Sequence, residues 1–183
     1  MYYTRAGDTG TTTIYGCDQR LSKSSAIAEA LGALDEATSF LGLLRAKAVD
    51  VSLPDSVSVA ARIEEVQNHL FTIQAELAGA EKYLTDDAST ELEKHVDAIA
   101  RVVPPITTFV VPGGSELSAL TDVARTIVRR AERRVVTVAE EGIVTLAPAT
   151  LAYLNRLSSF LFILARYLNR EEGIDEHAPV YDK

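Results

Sequence analysis

The sequence predicts an all-α fold, a bundle of about five helices in one domain spanning residues 1–183, and three observations predict it. Apolar residues recur at three- and four-residue spacing through five long segments, the period of one helical face. The connections between those segments are short, apart from an irregular crossing from Pro104 to Gly114, as befits a helical bundle. Few stretches alternate with the period of two that a half-buried strand requires. A chain of this length buries roughly 70% of its unfolded surface, so a full core needs no covalent staple.

Residues 1–23 are rich in Gly, Thr and Asp and lack a helical period, so they read as an ordered loop or as disorder. The first helix runs from about Ser24 to Ala48, with Ile27, Leu31, Leu34 and Leu41 on its apolar face. Beside that face lies a second stripe, Ala28, Gly32, Asp35, Ser39 and Gly42, whose mostly small side chains let another helix come close. The second helix is expected from Pro54-Asp55, with proline at the first helical position, to about Tyr83. Ser89 is placed as the N-cap of a shorter third helix ending before Pro104-Pro105. Ser115 caps a fourth helix reaching about Glu141, and a fifth runs from Pro148 to about Glu172 through Leu151, Leu154, Leu157, Leu161 and Leu164. Beyond Gly173 a polar tail, residues 174–183, reads as loose.

Composition narrows the function. The net charge of −8 argues against general nucleic-acid binding, which draws on a basic surface. No run approaches the ~20 apolar residues that span a bilayer, and the N-terminus lacks the apolar core of a signal peptide, so a cytoplasmic location and no membrane partner are expected. The single Cys17 has no partner for an internal disulfide or a cysteine metal site. His69, His95 and His177 show no ligand spacing, and no protein metal site is expected.

Against that acidic background, residues 125–134 place five arginines, Arg125, Arg129, Arg130, Arg133 and Arg134, in ten positions of the fourth helix. Arg125, Arg129 and Arg133 follow one another at four-residue spacing and share a stripe. Arginine keeps its charge and presents a planar fork of donors suited to phosphate oxygens, so the stripe reads as a polyphosphate clamp or as a solvated face with local ion pairs. The N-terminal run from Tyr3 to Thr13 offers glycines, backbone N–H groups and hydroxyls of the kind that cradle phosphate, although turn-forming residues in a flexible tail have the same composition. It lacks the Gly-Lys-Ser/Thr of a Walker loop. Lys23 could add a point charge. Phe109 to Ser115 either lines a ligand cavity or is a bundle crossover with Phe109 in the core. Asn155, Arg156 and Ser159 interrupt an apolar helix, and Asp35 needs a partner if buried.

Taken in order, Tyr-Thr-Arg-x-Gly-Asp-x-Gly-Thr-Thr from Tyr3, Lys23, Ala30-Leu31-Gly32-x-x-Asp35-Glu36, Phe109-x-x-Pro112-Gly113-Gly114, Val123-Ala124-Arg125-Thr126-x-x-Arg129-Arg130-Ala131-Glu132-Arg133 and Asn155-Arg156-Leu157-Ser158 closely resemble the propanediol-utilisation type of ATP:cob(I)alamin adenosyltransferase. The resemblance covers residues 3–167. It implies a five-helix bundle that assembles as a homotrimer with active sites between subunits, and a reaction in which ATP and cob(I)alamin give adenosylcobalamin and triphosphate. Mg²⁺ bound with ATP, a reductase supplying Co(I) and an adenosylcobalamin-dependent enzyme are implied as companions.

Residue by residue, the resemblance assigns Thr4, Arg5, Ala6, Gly7, Asp8, Gly10, Thr11, Thr12, Thr13 and Lys23 to the triphosphate. It assigns Arg129, Arg130, Glu132, Arg133 and Asn155 to ATP, and pairs Asp35 with Arg125 across a subunit boundary. Phe109 matches the residue packed beneath the corrin, where it helps exclude the lower axial ligand. Three positions depart from the family pattern: Arg5 stands for a usual lysine, Asp122 for a common histidine, and Ser159 for an aspartate, which leaves Arg156 without a carboxylate partner.

Overall fold

In the computed structural model, which describes residues 2–15 and 19–181, five helices follow a short antiparallel hairpin. The hairpin joins β1 (Thr11–Thr13) to β2 (Arg20–Ser22), with Thr12 opposite Leu21. The helices are α1 (Ala26–Lys47), α2 (Val59–Leu77), α3 (Asp86–Ala100), α4 (Glu116–Glu140) and α5 (Pro148–Glu171). Cys17 lies outside the described residues.

Local chemistry explains where the helices differ from the expected bounds. Pro54 does not open α2. The chain turns tightly there, with Ser56 at φ 68°, the Leu53 N–H donating to the Val57 carbonyl at 2.7 Å and the Val59 N–H to Val51 at 2.9 Å. Helix α2 starts only after this turn, where the Ser58 hydroxyl accepts from the Ala61 N–H at 3.0 Å. It ends six residues before Tyr83 because Gly79 takes φ 86° and the Ala80 N–H folds back onto the Ala75 carbonyl at 2.9 Å. Helix α3 begins after Thr85, four residues ahead of the expected Ser89 cap, and Asp86 and Asp87 complement the positive end of its dipole. Ser115 caps α4 as anticipated, accepting from the Ser118 N–H at 3.1 Å.

Helix α1 packs on α2 and α4, and α5 packs on α4 and α3. Consecutive helices alternate in direction. The contacts Lys47 to Glu116 and Arg134 to Glu29 make α1 and α4 antiparallel, whereas Arg156 to Glu93 and Arg166 to the Pro104 carbonyl make α3 and α5 parallel neighbours. Helix α5 is the central rod, burying Tyr153, Leu154, Leu157, Phe160, Leu161 and Leu164. Along α1, Ile27, Leu34 and Leu41 enter the core, Leu31 is half-buried, and the small-residue stripe is left outward at Gly32, Asp35 and Ser39.

The start of α5 has no cap of its own; a carboxylate from α2 supplies one. The buried Glu76 accepts from the Ala147 N–H at 2.6 Å, satisfying a backbone donor that a helix N-terminus otherwise leaves unpaired, and from the Thr150 hydroxyl at 2.5 Å. Near it, half-buried His69 makes a 3.0 Å hydrogen bond to the buried Tyr153 hydroxyl, with the rings edge to face. The tail that reads as loose is tied down at Glu176 and His177, which contact Arg166 and Val111. None of the described helices is long and apolar enough to cross a membrane.

Two stability tests follow from these contacts. Glu76→Gln leaves an amide where two donors converge, and is expected to cost about 2 kcal/mol, lowering the thermal midpoint by roughly 4–8 °C; an unchanged midpoint would contradict the capping role. Burial lowers the His69 pKa below its ordinary 6.5, opposed by nearby Glu65 and reinforced by Arg62. The unfolded chain therefore takes up this proton first, so the stabilisation is complete above pH 6.5 and is lost as pH falls through the lowered value. Urea titrations from pH 8 downward should show a steeper loss for the parent chain than for His69→Gln, and parallel slopes would refute the assignment.

Candidate active site

Helical geometry divides the arginines of α4 between two neighbours. On the α1 side, Arg130 pairs with Glu36 and Arg134 reaches Glu29 at 3.8 Å. On the α5 side, the Arg125 Nε donates to Asp122 at 3.0 Å while its guanidinium lies 5.8 Å from the centre of the Phe162 ring. The Arg129 Nη1 donates to the Ser158 hydroxyl at 3.5 Å, and the Asn155 amide donates to Glu132 at 3.2 Å. Arg133 is exposed between the two sides. The α5-side cations open onto a cavity of about 370 Å³, lined by Arg125, Arg129, Ser158, Ser159, Phe162 and Ile106 among others.

The crossing that brings Ile106 there ends in a turn that requires glycine. Gly114 has φ 114°, and a side chain on it would strike the Asn169 Oδ1 at 2.4 Å. Asn169 accepts from the Ser115 N–H at 3.0 Å and donates to the Gly113 carbonyl at 2.9 Å, fixing the turn to α5. Phe109 is 79% exposed, which removes the alternative of a core residue.

The N-terminal loop is ordered through its own backbone. The Asp8 N–H donates to Arg5 at 3.2 Å, the Gly10 N–H to Gly7 at 3.1 Å and the Lys23 N–H to Gly10 at 3.0 Å. Arg5 and Gly10 take positive φ of 62° and 79°. The Ala6 N–H donates to the Thr4 hydroxyl at 3.4 Å, and the Lys23 ammonium lies 3.2 Å from where a side chain on Gly7 would begin. Gly7 therefore leaves room for the lysine to lie over the loop, which unites two motifs sixteen residues apart in sequence. Arg20, which the motifs did not single out, donates to the Thr11 hydroxyl at 2.8 Å, to the Thr11 carbonyl at 2.9 Å and to the Ala6 carbonyl. The signal for it is the strand register, visible only once β2 is paired with β1.

The structure does not bring all the expected residues together in one chain. Thr13 and Asp35 line a different cavity, of about 710 Å³, with Gly32, Phe71 and Gln74. Asp35 is exposed, and Arg125 has Asp122 as its carboxylate within the chain, so the departure at Asp122 provides a local partner. Arg156 is not left without a carboxylate: Glu93 of α3 lies 2.7 Å from its Nε. Among the described residues no group of three or more His, Cys, Asp or Glu side chains forms a metal cage.

A helical bundle with a row of guanidinium groups beside a half-apolar cavity, and a backbone-ordered Gly/Thr loop at its edge, defines a protein built for a polyanionic ligand and an apolar one together. The family model for cobalamin adenosyltransferases matches residues 2–168, and the chain belongs to that family. It is 36% identical over 178 residues to the corrinoid adenosyltransferase of Bacillus subtilis, covering 95% of this chain and 89% of that one. Against the corrinoid adenosyltransferase PduO of Salmonella typhimurium it is also 36% identical, covering 90% of this chain but only 48% of the relative, so it spans about half that protein's length. The fold matches a phenylalanine-to-alanine variant of the PduO-type ATP:corrinoid adenosyltransferase from Lactobacillus reuteri, solved with cobalamin and ATP, at a TM-score of 0.87 and 31% identity over 98% of this chain and 99% of that one.

Proposed function

We propose that this chain transfers the 5′-deoxyadenosyl group of ATP to cob(I)alamin, giving adenosylcobalamin and triphosphate. The observation that carries this is the pairing of Arg125 and Arg129 with Phe162 and Ile106 on one cavity, in a member of the cobalamin adenosyltransferase family. In the reaction the Co(I) electron pair forms a bond to C5′ of the ribose, the C5′–O bond breaks, and its electrons leave on the triphosphate. Cobalt is formally oxidised from I to III. The protein needs no nucleophile; it aligns two ligands and stabilises charge on the leaving group.

In this reading the loop of Thr4, Arg5, Ala6, Gly7, Asp8 and Gly10 to Thr13, with Lys23, wraps the triphosphate, while Arg129, Arg130, Glu132, Arg133 and Asn155 hold ATP from the bundle. Mg²⁺ would come with the phosphates, as this ion commonly does in nucleotide sites, and would help neutralise their charge. The exposed Phe109 offers an apolar wall beneath the corrin, where it hinders a lower axial ligand and so eases reduction to Co(I).

Because Asp35 and Thr13 line one cavity and Arg125 and Arg129 another, the reading completes each site between copies of the chain, as a homotrimer. Gly32 supports this: a side chain added there would meet nothing within 4 Å, so the small-residue stripe is open at Gly32 to a neighbouring helix, whereas Gly42 lies against Gln67 of α2. On assembly Arg125 would pass from Asp122 to Asp35 of an adjoining copy, or bridge both. A cytoplasmic location, a single domain covering residues 1–183, a partner reductase and a downstream adenosylcobalamin-dependent enzyme belong to the same proposal.

Incubation with ATP, Mg²⁺ and chemically reduced cobalamin should yield the light-sensitive spectrum of adenosylcobalamin with stoichiometric triphosphate. Tight cobalamin binding without triphosphate release would instead make the protein a carrier. Arg129→Ala is expected to lower kcat/KM by at least about 100-fold, and near-normal turnover would remove that arginine from the site.

A further inference from the structure

Of the three arginines that line the cavity, Arg166 is the one the proposed reaction leaves unused. It is only 7% exposed, on a helix otherwise filled with Leu, Phe and Tyr, and it reaches the same cavity as Arg125 and Arg129. Its guanidinium points away from α4 toward two other segments. Nη2 donates to the Pro104 carbonyl at 2.9 Å, where the crossing to α4 begins. Nε lies 2.9 and 3.0 Å from the two Glu176 carboxylate oxygens, and Nη2 lies 2.7 Å from one of them.

Arginine stays charged, and a buried guanidinium is tolerated only with a carboxylate and hydrogen bonds around it. Glu176 is that carboxylate, and it belongs to the segment after α5. Beside it, the His177 carbonyl accepts from the Val111 N–H at 3.0 Å, on the far side of Phe109. The segment is itself started from α5, since the Ile174 N–H donates to the Asn169 carbonyl at 2.9 Å and the Asn169 side chain holds Gly113. Residues 105–110 are thus a span fixed at one end through Arg166 and at the other through His177 and Asn169. Within that span Ile106 lines the Arg125 and Arg129 cavity, and Val110 lines an adjoining one with Arg125 and Asp122.

We propose that Glu176 is a positioning residue for the corrin side of the site: acting through Arg166, it docks residues 174–177 against the crossing and so sets where Phe109 stands. The inference rests on the proposed adenosyl transfer for its chemical consequence, but its structural half stands without it. Removing the Glu176 charge strands Arg166, and the cheapest relief is for the guanidinium to turn toward water, releasing Pro104 and the segment that holds Val111.

Glu176→Gln and a chain ended after Gly173 test this with two readouts. Amide exchange at Val111 should accelerate by at least about tenfold in both, with the amides of α5 protected as before. The four-coordinate cob(II)alamin signal expected with ATP bound should fall by about tenfold, while ATP affinity and transfer to pre-reduced cob(I)alamin stay within about twofold. Glu176→Asp should recover part of both readouts. Unchanged Val111 protection, an intact four-coordinate signal, or an equal loss of ATP affinity would overturn the proposal. Absence of that signal in the parent chain would instead count against the proposed reaction, and Val111 exchange would still decide the anchoring.

Discussion

Five guanidinium groups within ten residues of one helix repel one another, and the bundle exists around the way α4 disperses them. Its two faces meet different neighbours. Glu36 and Glu29 of α1 pair with Arg130 and Arg134, Asp122 one turn back on α4 holds Arg125 beside Phe162, and Ser158 of α5 holds Arg129. The α1 pairs are exposed and contribute little to stability by themselves. Their effect is to leave the remaining positive potential on one side, beside Phe162 and Ile106, where an anion can enter next to an apolar surface.

The same economy places the second half of the site. Gly32 and Asp35 are turned outward on α1, and the hairpin that carries Thr11 to Thr13 lies at the edge of α1 and α2 rather than over the arginines. In the proposed reading, Thr13 and Asp35 on one cavity and Arg125 and Arg129 on another become a single site when copies of the chain adjoin. Such an arrangement would link folding and assembly to catalysis, since Arg125, held by Asp122 within the chain, would also meet a neighbour's Asp35.

Much of this was legible in the sequence, and the remainder failed for identifiable reasons. The apolar period of α1, α4 and α5 and the Ser115 cap are local signals, and the structure follows them. The bounds of α2 differ from the sequence pattern because Pro54 serves a tight turn equally well as a first helical turn, and Gly79 stops the helix short of Tyr83. Asp86 and Asp87 outweighed Ser89 in starting α3. Glu93 for Arg156, Arg20 for the loop, Glu76 for the start of α5 and Glu176 for Arg166 are partners that only tertiary packing brings together, so no spacing rule announces them. The ordered motifs are enough to place the chain in its family, whereas the separation of Asp35 and Thr13 from Arg125 and Arg129 is a tertiary property that no spacing carries.

The central claim is that the loop of one copy and the arginines of another form each site. Two inactive chains test it directly: one carrying Lys23→Ala with Asp35→Ala, the other carrying Arg129→Ala, co-expressed so that mixed assemblies form. If sites lie between copies, random mixing restores about one quarter of parental adenosyl transfer. If the loop and arginines of the same chain make the site, every site in the mixture retains a defect, and the mixed assemblies stay as inactive as the two parents.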